Sequence, residues 1–320
     1  MRLRRWIELG VGLGLGGGLL YWVLRDYPWR ALAELSWQWE AVGGAAIVMG
    51  LAHVWRAWRW KLFLRASGHE NISIWEAFMA LMVGYLVNLG LPRAGEIVRC
   101  SLLYRVRQLP VELSLGTVIG ERMLDLLLLG VWGAVVVGVE GSEWLRRLGL
   151  WSWAPFLVGG AFVGMSLLWG LYRYRQRLPW PWAQRIVRGV ASAFQVRPRT
   201  ANLLLSIGIW LSYWIATWLA GLAVQENFSL WAAWVLLVGS GLAMAIPVPG
   251  GLGTFHAIGL VLLNYLGYAD TPAKTLVLLI HAFQTLHTLL LGVGGISYFL
   301  LRMRQIPMAP PHLAKPQTRV

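Results

Sequence analysis

Six ionisable residues, Arg93, Glu96, Arg99, Glu121, Arg122 and Asp125, stand inside apolar stretches of a 320-residue chain that is 58% hydrophobic and only 13% charged. Placing such a group at membrane depth costs at least ~2.5–3.5 kcal/mol on insertion scales, so those retained there pair with one another, face a bundle interior or line a substrate path. A guanidinium offers a planar fork of donors that fits phosphate oxygens, and a carboxylate can orient that fork or take an amino group. The first three belong to Asn88-Leu-Gly-Leu-Pro-Arg-Ala-Gly-Glu-Ile-Val-Arg99, in which Pro92 and Gly95 interrupt a helix. Glu121 and Asp125, four apart, share a helix face with Arg122 alongside. Three cations against three anions cancel, which suits a structural ion network; direct contact with a phosphate is the other reading, with Arg93 beside Pro92 the arginine best placed to have donors to spare. A third interruption, Pro247-Val-Pro-Gly-Gly-Leu-Gly253, supplies Pro247, Pro249, Gly250, Gly251 and Gly253 as helix-breaking positions. The candidate substrate-binding set is therefore Asn88, Arg93, Glu96, Arg99, Glu121, Arg122 and Asp125, and no residue is assigned a catalytic role.

The elements that hold these residues are set by apolar runs of the length a bilayer demands. With 21 tryptophans, many of them flanking such runs, the chain reads as an all-α polytopic membrane protein. Spans are expected at about 6–24, 41–60, 113–138, 152–172, 201–224 and 271–301. The run Ile7–Leu24 is long and glycine-rich and lacks a convincing cleavage site, so it is kept as a span rather than a leader. With Arg2, Arg4 and Arg5 in the cytoplasm, alternation puts twenty of the 28 basic residues on that side and five on the other; that asymmetry follows the positive-inside rule and argues against nucleic acid as the reason for a net charge of +14. It also requires 74–104 and 229–267 each to return to the side from which they enter. Two oppositely oriented re-entrant hairpins result, broken at Leu91–Arg93 and at Pro247–Gly253, and irregular backbone at that depth must be buried in protein or line a wet cavity.

Lesser features have quieter readings. Gly10, Gly14 and Gly18 recur every four residues and suit close helix packing. Trp55-Arg-Ala-Trp-Arg-Trp-Lys61 reads as an interfacial anchor whose cations snorkel to the cytoplasmic surface. Residues 173–200 form a basic cytoplasmic amphipathic segment with Trp182, Ile186, Val190 and Phe194 on one side and Arg185 and Arg188 on the other, suited to a membrane surface. His256, His281 and Gln284 are secondary polar positions; the spacing of His281 and His287 favours core hydrogen bonding, so no metal or cofactor is expected. The single Cys100 excludes an internal disulfide. Residues 1–305 are expected to be one integral membrane domain, and the proline-rich 306–320 a disordered tail.

An internal repeat ties the breaks together. Ile74-Trp-Glu-Ala-Phe parallels Leu230-Trp-Ala-Ala-Trp, and Leu127-Leu-Leu-Gly-Val-Trp-Gly133 parallels Leu289-Leu-Leu-Gly-Val-Gly-Gly295. Inverted repeats with broken helices are a recurrent plan of transporters.

The succession Asn88…Pro92-Arg-x-Gly-Glu96-x-x-Arg99, Glu121-Arg-x-x-Asp125 and Pro249-Gly-Gly-Leu-Gly253 resembles the membrane region of bacterial lysylphosphatidylglycerol synthases and the related flippase-like integral membrane family, over roughly residues 5–302. The resemblance implies a polytopic protein acting on lipid, with translocation of an amino-acylated phospholipid in the fused synthases and roles in glycolipid, polyprenyl or hopanoid pathways elsewhere. No soluble catalytic domain is expected after Arg304, so aminoacyl transfer is not implied. His256 stands where the family often carries a carboxylate. The expected partner is a membrane lipid (phospholipid, glycolipid or polyprenyl-linked), with a lipid-synthesising enzyme as a further candidate. Expected functions are a lipid flippase with both termini cytoplasmic or, alternatively, a membrane-embedded transferase using Glu96 or Asp125 as base, or a scaffold for a lipid-modifying partner.

Overall fold

The computed structural model describes residues 2–141, 178–244 and 246–305, with positions 146, 170 and 173 in addition. The expected span 152–172, the first part of the basic segment and the tail 306–320 fall outside these residues. Among the described residues the architecture is entirely helical: α1 (Arg2–Leu24), the single turn α2 (Arg30–Ala33), α3 (Trp39–Ala66), α4 (Ile74–Gly90), α5 (Ala94–Arg107), α6 (Val111–Glu140), α7 (Pro181–Gln195), α8 (Arg199–Leu222), α9 (Leu230–Ala243), α10 (Thr254–Tyr265) and α11 (Asp270–Arg304). Three of them, α6, α8 and α11, are long and apolar enough to cross a membrane; Gly10–Leu24, α4 and α9 are shorter apolar helices. Helix α3 has the length, but Arg56, Arg59, Lys61 and Arg65 crowd its second half.

Both interruptions are real breaks with local causes. Helix α4 starts at a capping box in which Ser73 and Glu76 satisfy each other's backbone N–H groups. It stops before Pro92, and α5 restarts at Ala94 after Arg93, whose φ of 63° places a non-glycine residue in the left-handed region. Asn88 Oδ1 accepts the Gly95 N–H at 2.8 Å and so closes the turn. The two helices fold back so tightly that a Cβ on Gly95 would overlap the Gly84 carbonyl. At the open end of this hairpin Arg107 donates to Glu76 at 2.8 Å. Because Glu76 is 1% exposed, both cap and ion pair depend on it; Glu76→Gln should cost about 1–3 kcal/mol, seen as a lower Tm in detergent.

The second half repeats the order. Ser229 caps α9, the chain breaks after Ala243, and a 3₁₀ turn at Pro249–Gly251 leads into α10. Gly250, Gly251 and Gly253 all have positive φ, which a side chain would resist. The halves interlock reciprocally. Gly292 and Gly295 of α11 lie against Met82 and Met79 of α4, while Gly133 of α6 faces Val238 of α9 and the Trp132 ring packs tilted against Trp234 with centroids 4.2 Å apart. The two turns touch, Leu89 Cδ2 lying 3.4 Å from the Cβ position of Gly250.

One expectation is corrected, and the surroundings of another are defined. In α1 the close-packing glycines are Gly12 and Gly16, which face Pro247 and Leu252 of the second turn; Gly10, Gly14 and Gly18 meet nothing within 4 Å. A four-residue glycine period fits either face, and packing selects the one that admits the turn. Helix α7, expected to lie on the membrane surface, packs on α6 through its small residues: Gly189 sits against Leu113 and Gly116, and Ala193 against Gly120. Of its apolar side, Trp182 and Phe194 are exposed and Ile186 and Val190 are half-buried. Arg185 pairs with Glu112 at 3.1 Å.

Candidate functional site

The polar centre of the molecule is built by α3, α5, α6 and α8. On α6, Glu121 and Asp125 point the same way, as their spacing requires. The groups facing them come from α3. Arg56 donates to Glu121 Oε1 at 2.8 Å and to Asp125 Oδ2 at 2.9 and 2.5 Å. Arg59 donates to Asp125 Oδ1 at 2.6 Å and to Ser206 Oγ on α8 at 3.0 Å. Arg99 of α5 reaches the free side of Glu121, Nη2 to Oε2, at 3.0 Å. Its guanidinium lies 4.5 Å from the Trp60 ring centroid, and the Trp60 indole N–H is held by Thr117 Oγ1 at 2.8 Å. Glu121 and Arg59 are 0% exposed, Arg99 1% and Arg56 4%.

Toward the surface the contacts lengthen. Arg122 donates to Glu96 at 3.3 Å and lies 3.8 Å from Asp125, with its side chain 41% exposed. Arg93, at the tip of the first hairpin, is exposed.

Of the residues singled out from sequence, the structure brings Glu96, Arg99, Glu121, Arg122 and Asp125 into this one cluster. Asn88 and Gly95 act in the turn. Arg56 and Arg59, taken for snorkelling surface anchors, are instead buried partners of the carboxylates. The helical face they share with Ala52, His53, Ala57, Trp60, Phe63 and Leu64 is the buried one, whereas Trp58 stays exposed and stacks on Trp55. Three-residue spacing between two arginines, opposite a Glu and Asp four apart, was the available signal; the flanking tryptophans masked it.

This correction changes the charge balance. Among the described residues the interconnected cluster holds Arg56, Arg59, Arg99 and Arg122 against Glu96, Glu121 and Asp125, one positive charge in excess. Buried hydrogen-bonding capacity is also left over: Arg99 Nη1, Arg56 Nε, Arg59 Nε and Glu96 Oε2 have no partner among the described residues. Guanidinium donors left unsatisfied in an apolar setting are costly, and an anion offers what they lack.

The second turn carries a separate polar set. His281 Nε2 lies 3.0 Å from the Gly250 carbonyl oxygen, His256 Nδ1 accepts the Gly253 N–H at 3.3 Å, and the two rings are 4.7 Å apart. Gln284 is half-buried one turn along α11.

Long apolar helices, exposed apolar side chains such as Leu126, Val131, Leu290 and Leu301, and a buried ion cluster define a multi-pass membrane protein of helical type. The sequence matches the family described as the lysylphosphatidylglycerol synthase TM region over residues 7–292, and the chain belongs to that family, a lipid-related one. No curated protein and no solved structure matches it.

Proposed function

We propose that the protein moves a phosphate-bearing lipid across the cytoplasmic membrane, with the arginine cluster receiving the head group while the acyl chains stay in lipid. The observation that carries this reading is the uncompensated positive charge of the cluster, which one phosphodiester would neutralise. Arg122 and Glu96 form its accessible rim, and Arg99, with an unpartnered Nη1 behind them, is the inner receptor. Support for movement rather than static binding comes from the two broken hairpins whose turns touch and from the reciprocal packing of the halves. In this reading the hairpins are re-entrant, enter from opposite faces and place the site between repeats, as in transporters with discontinuous helices. Both termini are then cytoplasmic, in keeping with the basic-residue asymmetry.

Purified protein in vesicles containing labelled phospholipid tests the proposal. Appearance of unaltered lipid in the opposite leaflet is the expected result. Chemically altered lipid would point to a transferase, and binding without movement to a scaffold. Arg122→Gln, which removes a half-exposed cation and no buried one, should leave the fold intact and slow movement by roughly tenfold or more, equivalent to about 1.4 kcal/mol. Unchanged movement in that variant removes Arg122 from the head-group path.

A further inference from the structure

One turn from Arg56 on α3 lies a histidine that the ion cluster does not use. His53 is 5% exposed, and its ring faces His287 of α11 with centroids 5.4 Å apart. Tyr85 of α4 approaches it edge-on at 5.5 Å and Tyr213 of α8 at 6.1 Å. Tyr213 also lies under the Arg56 guanidinium, 5.8 Å from centroid to Cζ, so one ring neighbours both His53 and the arginine that holds Glu121 and Asp125. His287 also hydrogen-bonds the backbone of Ala46, on the same helix as His53. Among the described residues each imidazole has a buried Nδ1 without a hydrogen-bond partner. Such a nitrogen is an open acceptor for an added proton, and two charged imidazoles this close would repel, so the pair has room for one.

The groups that act on this pair come from every neighbouring element. Arg56 acts from α3, Tyr85 from α4 and Tyr213 from α8; Tyr85 itself is within electrostatic reach of Arg56, Arg122 and Glu121. Glu121 and Asp125 stand beyond Arg56 and are committed to it and its neighbours. A proton on the pair would therefore add a second positive charge beside a cluster already one in excess. Seating an anion in the cluster removes that repulsion. We infer that the His53–His287 pair is a proton-binding site linked to the anion site, so that one proton is taken up with each head-group phosphate and the lipid moves together with a proton. The inference rests on the anion reading of the arginine cluster. It makes the proton gradient a driving force, and linkage makes the effect reciprocal: whatever factor a bound anion contributes to proton affinity, a bound proton contributes to anion affinity.

The experiment uses the full chain in detergent and dihexanoylphosphatidylglycerol, whose phosphodiester keeps its charge throughout the range examined. Calorimetric titration in two buffers of different ionisation enthalpy counts the protons exchanged on binding. The native protein should take up close to one proton per anion, and its affinity should fall by roughly tenfold per pH unit on the alkaline side. His287→Gln, at a half-buried position, should bind the anion within about threefold of native at high pH while losing proton uptake and pH dependence. His53→Gln should do the same, and because either substitution removes the pair, one folded variant is enough. Native protein that binds the anion without taking up a proton overturns the linked site while leaving the arginine cluster standing. Proton uptake that persists in a folded variant overturns it too, because the proton is then bound elsewhere. Failure of the native protein to bind the anion at all overturns the head-group reading itself, and this inference with it.

Discussion

Asp125→Asn lowers stability by about 3–5 kcal/mol, because it strips Arg56 and Arg59 of a shared carboxylate and leaves two buried guanidiniums short of a counter-charge. Both arginines are within 2.6 Å of Asp125, which bridges them with different oxygens. The consequence that separates this arrangement from simple loss of packing is its pattern of rescue. Removing one stranded charge by Arg59→Gln in the Asp125→Asn background should restore part of the loss, with a coupling of about 0.5–3 kcal/mol in a double-mutant cycle. Arg99→Gln should give no such rescue of Asp125→Asn, since Arg99 is held by Glu121 on the far side of the cluster. Thermal unfolding of the four proteins of each cycle in one detergent provides the measurement. Additive losses for the Arg59 pair would refute the contact; strong coupling to Arg99 instead would mean that α5 and α6 are rotated relative to the geometry described here.

Gly95→Ala disrupts the first hairpin. The added Cβ would overlap the Gly84 carbonyl oxygen and crowd Asn88 Oδ1, both on α4, and neither is the flexible end of a long side chain. Overpacking in a well-filled interior typically costs about 1–3 kcal/mol, and a backbone obstacle puts this substitution above that range. Separation of α4 from α5 would also break the Asn88–Gly95 bond and draw Arg99 away from Glu121, so lipid movement should be lost along with stability. Gly90→Ala is the matched control: its Cβ would meet nothing within 4 Å, and its Tm and activity should stay near native. Equal behaviour of the two variants would show that α4 and α5 do not approach closely in the working protein.

Much of this was legible in the sequence because it is local. Apolar run length and tryptophan placement dictate a helical membrane protein wherever the helices end up. Pro92 and the cluster Pro247–Gly253 break helices through missing N–H groups and permissive backbone, and both breaks stand where the residues put them. Glu121 and Asp125 share a face by helical period alone, and the repeated order of α4–α5–α6 and α9–α10–α11 follows from matching patterns along the chain. What only the tertiary structure decided is which face of each helix turns inward. A four-residue glycine rhythm in α1 fits two stripes, and contact with the second turn selected Gly12 and Gly16. Arg56 and Arg59 sit among tryptophans that signal an interface, yet α3 is rotated so that they point at α6, some 65 residues further along the chain. Helix rotation about its own axis has almost no local determinant; it is fixed by the pairing of distant side chains, and burying a guanidinium is favourable only once its carboxylate is in place. For that reason the excess charge of the site, on which the proposed head-group binding rests, became countable only when α3, α5 and α6 were seen together.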